Sequence, residues 1–133
     1  MTILDALRRF VTQLRADGRS HHTIGQYERH ITALAKWTAG TGQGLGVENL
    51  DHETVALFLA SPEARDRGDG TPKKATSINT LRSSIRVFGS YLHRAGFLAQ
   101  DPARMVRRAI CSSGPPRTLS QEDQHRLLAT LAS

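Results

Sequence analysis

The residues best suited to do chemistry cluster in and just before the stretch Thr76–Arg94. Lys73, Lys74, Arg82 and Arg86 are cations, Asn79 and Ser83 add hydrogen-bonding groups, and no Asp or Glu occurs from Lys73 to Arg94. Arginine and asparagine have the fork geometry that meets guanine and adenine edges, whereas phosphates need only positive charge. Arg82 and Arg86 stand one helical turn apart, where like charges repel, so a helix that keeps the pair points to an anionic partner. Lys73 and Lys74 precede that helix, where free backbone N–H groups already favour phosphate. Double-stranded DNA is the natural ligand, although a cationic stripe alone also describes an ordinary solvated face.

A second set lies nearer the start. His22, Gln26, Arg29 and Lys36 share one side of a helical stretch, with Glu28 beside them weakening the field. Other chemistries fare worse. The histidines include the adjacent pair His21-His22 but no His-Glu-x-x-His spacing, and the single cysteine, Cys111, allows neither an intrachain disulfide nor a cysteine-based zinc cluster. The run Gly40–Gly46 resembles a phosphate-cradling loop, yet it follows a helix and no Lys-Ser or Lys-Thr pair comes after it. It reads as a connector. Glu28, Asp51, Glu53, Glu63, Asp66 and Asp69 read as caps and solvated surface. No metal, cofactor or small-molecule substrate is implied.

At 133 residues the chain has the size of one ordinary domain, and its formal charge of +6 with a pI near 10.4 fits a nucleic-acid binder. No apolar run is long enough to span a bilayer, and no signal-peptide pattern opens the chain, so a soluble, cytoplasmic protein is expected.

The elements that must hold these residues follow from periodicity. Thr2 can cap a first helix with Asp5 in its first turn, and Leu4, Leu7, Phe10 or Val11, and Leu14 form its apolar stripe up to Gly18. Ser20 caps a second, longer helix with Ile24, Tyr27, Ile31 and Leu34 inward and Trp37 near its end. Asp51 caps a third, carrying Val55, Phe58 and Leu59, before Ser61-Pro62 leads out. Arg65 to Lys74 reads as a mobile surface loop. In the fourth helix Ile78, Leu81, Ile85, Phe88 and Leu92 face the core, Gly89 suggests close approach by another helix, and Val87 is a misfit on the polar side best explained by packing. Gly96 ends it, and Asp101-Pro102 starts a short fifth helical turn through Met105 and Val106. Ser112 to Pro116 has linker composition, and Ser120 can cap a last helix bearing Leu127, Leu128 and Leu131. With no period-two run, the chain is expected to be all-α, a compact bundle of four main helices.

The order of these pieces resembles the N-terminal core-binding, SAM-like domain of the tyrosine recombinase, or phage integrase, family. The pieces are Ser20-His21-His22-Thr23 with Tyr27, Thr76-Ser77-Ile78-Asn79, Phe88, Tyr91-Leu92, Gly96-Phe97-Leu98, Asp101-Pro102-Ala103 and Arg117-Thr118-Leu119-Ser120-Gln121-Glu122. The resemblance implies a core-binding domain over residues 1–111, then a linker and the first helix of a truncated catalytic domain over 112–133. It implies that the second and fourth helices lie in the major groove of a recombination half-site, through His22, Gln26, Arg29, Lys73, Lys74, Asn79, Arg82, Ser83 and Arg86. It further implies other recombinase protomers as partners, and a tyrosine nucleophile housed in a second domain. Tyr27 and Tyr91 are the only tyrosines and read as core or core-edge side chains, so no strand cleavage is expected of this chain alone. The alternative is a helical protein-interaction module, or the remnant of a truncated integrase, whose cations only solubilise it. A helix-turn-helix regulator fits poorly, because a third helix and long loops separate the two basic helices.

Overall fold

The computed structural model describes residues 1–42, 44 and 46–107. Among them are five α-helices: α1 (Ile3–Ala16), α2 (His21–Gly40), α3 (His52–Ala60), α4 (Pro62–Arg65) and α5 (Ala75–Arg94), with a 3-10 turn at Val47–Asn49. No strand occurs among the described residues, only two isolated bridges, Thr2 to Gly46 and Asp66 to Pro72. The expected linker and last helix, from Ser112 onward, lie outside the described residues.

Local chemistry sets the boundaries. Thr2 and Asp5 form a reciprocal capping box, with Asp5 N–H donating to Thr2 Oγ1 at 3.0 Å and Thr2 N–H donating to the Asp5 carboxylate at 3.2 Å. Ser20 and Asp51 cap α2 and α3 through the N–H groups of Thr23 and Thr54. α5 leaves by a Schellman turn: Gly96, at φ 87°, lets Phe97 N–H reach Leu92 O and Gly96 N–H reach His93 O.

Three of the anticipated elements differ. Leu4 is 42 % exposed, and Ile3 and Ala6 line the buried side instead, because Ile3 falls in register with Leu7, Phe10 and Leu14. Ser61-Pro62 opens the one-turn helix α4, its proline at the first helical position where no N–H is needed. The expected fifth helical turn after Asp101 is a pair of overlapping four-residue turns, Arg104 N–H to Asp101 O and Val106 N–H to Ala103 O, and not a helix.

Phe10, Phe58, Phe88, Ile3, Ile31, Leu34, Ile85 and Leu92 form the core. Phe10 joins three helices, its ring centroid lying 5.5 Å from Tyr27 of α2 and 5.3 and 5.2 Å from Phe88 and Tyr91 of α5. Trp37 packs on Phe58 at 5.6 Å, drawing α3 against α2. Val87 is half-buried against this cluster, which accounts for an apolar residue near the polar side.

Gly89 is buried, but what approaches it is the turn after α5 and not another helix. A Cβ there would stand 2.7 Å from both Ala103 Cβ and Asp101 Oδ1, and that carboxylate is occupied in accepting Ala103 N–H at 2.8 Å. Gly89→Ala is therefore expected to destabilise the domain by about 1–3 kcal/mol despite alanine's better helix propensity. A urea melt checks this, and an unchanged midpoint would mean the turn yields freely.

Candidate nucleic-acid interface

α2 and α5 cross with a buried polar contact between them. His30 Nδ1 lies 2.7 Å from Ser84 Oγ, the serine being fully buried and the histidine half-buried. Sequence reasoning passed over both residues. The available signal was a serine inside the α5 apolar stripe, three residues from Leu81 and four from Phe88, where a hydroxyl must find a partner.

Around this crossing the structure places the sequence-derived residues in three groups. On α2, His22 and Arg29 are exposed and Gln26 is half-buried, all on the side away from Ile24, Ile31 and Leu34. On α5, Ser83 is exposed, and Asn79 and Arg86 are half-buried on the side opposite Leu81, Ile85 and Phe88. Arg82 belongs to neither group. Its Nε–H donates to the Arg107 carbonyl at 3.2 Å, and it lines a cleft of about 190 Å³ with His52, Leu59, Arg65 and Val106.

Lys73 and Lys74 come from a segment expected to be a mobile loop. It is instead a tied hairpin: Arg67 N–H donates to Thr71 O at 2.7 Å, Lys73 N–H to Arg65 O at 2.8 Å, and Asp69 accepts from both the N–H and hydroxyl of Thr71. Asp69 can do this because Gly70 follows it at φ 91°, a conformation that other residues rarely adopt. Lys73 is half-buried, its Nζ 3.4 Å from Glu63 O. Lys74 occupies the N-cap of α5 without a side-chain cap bond, and no acid follows in the first turn. The one ion pair among the described residues is Arg8 with Asp5, so the cations of α2 and α5 meet no carboxylate there.

His30 reports the field. Burial, then the positive charges of Arg29 and Lys73, push its pKa from 6.5 down to about 4. The folded state holds the ring neutral where the unfolded chain is already protonated, so stability is complete above about pH 6.5 and falls as pH drops toward 4. The expected loss is about 1–2 kcal/mol once screening by solvent is allowed for. Asp5, Asp51 and Asp69, held below the ordinary 3.8 by their backbone hydrogen bonds, lose their contributions only at lower pH. Melts across the window for the wild type and His30→Gln check this, the variant being expected to show the flatter profile.

The described residues thus form an all-α domain with cationic side chains on two neighbouring helices, and comparison with known proteins places it in a family. The chain belongs to the phage integrase N-terminal SAM-like domain family, which it matches over residues 7–96. Among curated relatives it is 28 % identical to the tyrosine recombinase XerD of Ralstonia nicotianae over 126 residues, 94 % of this chain and 38 % of that protein. It is 31 % identical to XerD of Pasteurella multocida over 82 % of this chain and 34 % of that protein. It is likewise 31 % identical to tyrosine recombinase XerC of Xylella fastidiosa over 80 % of this chain and 34 % of that protein. The chain thus spans little more than a third of the length of these relatives. No solved structure matches it. Among the described residues, no helix is long and apolar enough to cross a membrane and no group of side chains is arranged to hold a metal ion.

Proposed function

We propose that this chain is the DNA-gripping domain of a site-specific tyrosine recombinase, laying α2 and α5 across the major groove of a recombination half-site. The observation that carries the reading is the pairing of two basic helices at the His30–Ser84 contact, in a chain of this family. Arg29, Lys73, Lys74 and Arg86 supply phosphate contacts, and His22, Gln26, Asn79 and Ser83 stand where base edges or further phosphates are met. Arg82 takes a supporting part, holding the turn after α5 through Arg107 O.

Strand cleavage lies outside the proposed role. Tyr27 and Tyr91 pack against Phe10, and the family match is to an N-terminal domain. Residues 112–133 are proposed as a linker and the first helix of a catalytic domain, with 1–111 as the gripping unit. Other recombinase protomers are the proposed protein partners, and the cytoplasm the proposed site of action.

The groove assignment is testable by selecting bound duplexes from a randomised pool and then methylating guanine N7, which lies in the major groove. Methylation within the selected site is expected to block binding. Interference confined to minor-groove adenine N3 would overturn the placement of α2 and α5.

A further inference from the structure

We propose that the crossing of α2 and α5 is a built phosphodiester seat, in which His30 donates Nε2–H to a DNA phosphate oxygen between Arg29 and Lys73, with Ser84 fixing the ring. This rests on the DNA-binding reading above and names a contact within it.

Hydrogen bonding fixes the tautomer. Ser84 is buried from water, and among the described residues its only hydrogen-bond partner is His30 Nδ1, at 2.7 Å. Thr80, one turn earlier, instead spends its hydroxyl on the Thr76 carbonyl at 2.8 Å. With no carbonyl taking the Ser84 proton, the hydroxyl donates to Nδ1, and a neutral ring then carries its hydrogen on Nε2. Nδ1 faces the buried serine, and the half-buried ring keeps part of its surface open to solvent, where the proposal places Nε2.

The charges around that edge suit an anion. Arg29 on α2 and Lys73 on the hairpin both act on His30, while α5 contributes the Ser84 hydroxyl. Lys73 is held in place by its backbone bond to Arg65 O. An N–H donor in the field of two cations matches a phosphodiester oxygen, which accepts the hydrogen bond while the cations replace its counterions. A bound phosphate also reverses the field on the imidazole, so DNA binding should draw a proton onto Nδ1 in mildly acidic solution, the Ser84 hydroxyl then turning to accept from it.

The test uses the full chain and a mixed-sequence duplex, since phosphate contacts need no particular site. His30 ring nitrogens are titrated by NMR with and without duplex. A rise of about two pH units in the complex is expected, because a phosphate within hydrogen-bond reach favours the charged ring. In parallel, affinity is measured near pH 7.5 and pH 5.5 for the wild type, His30→Gln and Ser84→Ala. The wild type should gain about fourfold more on acidification than His30→Gln, the gain expected for a bound-state value near 6. Ser84→Ala, whose ring is free to turn, should lose most of that extra gain.

A complex in which the His30 titration does not move, or equal pH profiles in wild type and His30→Gln, would overturn the seat and leave the DNA reading standing. A wild type that binds no duplex at low salt would overturn both.

Discussion

Phe10→Ala is expected to destabilise the domain by about 3–5 kcal/mol, the range for removing a fully packed aromatic side chain. Phe10 is 2 % exposed and is the ring where α1, α2 and α5 meet, within 5.5 Å of Tyr27, 5.3 Å of Phe88 and 5.2 Å of Tyr91. A cavity there cannot be filled by one neighbour without moving the helix that carries it. The midpoint of thermal unfolding should fall by more than about 10 °C for a domain of this size. DNA binding should suffer with it, because Tyr27 of α2 and Tyr91 of α5 both pack on Phe10. A loss below about 1 kcal/mol would show that the bundle is held elsewhere.

The second large effect concerns charge. Arg29→Ala combined with Arg86→Ala is expected to weaken duplex binding by about 10–100-fold at low salt and to lower the salt slope by about 2, one phosphate contact being lost at each site. Neither side chain is in the core, so helix content and melting temperature should stay near those of the wild type. Arg82→Ala serves as the contrast. Its Nε–H already serves the Arg107 carbonyl, so it should affect binding less and stability more than Arg86→Ala. If Arg82→Ala proved the more damaging to binding, the face of α5 assigned to DNA would be wrong.

Much of this arrangement was legible in the residues themselves. The caps at Thr2, Ser20 and Asp51 and the exit at Gly96 are local chemistry, and they set helix ends within a residue or two. The stripes of α2 and α5 were equally clear, since three- and four-residue spacing admits one buried side. What escaped depends on partners distant in sequence. His30 and Ser84 are 54 residues apart, and neither is unusual alone. Gly89 signalled a close approach, but its spacing could not say that the intruder was the Asp101–Ala103 turn. Arg82 and Arg86 look equivalent as a pair one turn apart, and only the fold gives Arg82 a carbonyl to hold. The stretch from Arg65 to Lys74 had the composition of a loose loop, while the Asp69-Gly70 pair inside it makes a hydrogen-bonded hairpin that fixes Lys73.

The most direct test of the DNA-binding assignment is the affinity of the full chain for a labelled duplex, followed by fluorescence anisotropy across a salt series. The phosphate contacts proposed for Arg29, Lys73, Lys74 and Arg86 predict tight binding at low salt that weakens with a log-log slope of about 3–4. No binding at low salt, or an affinity indifferent to salt, would contradict the account and favour a helical protein-interaction module.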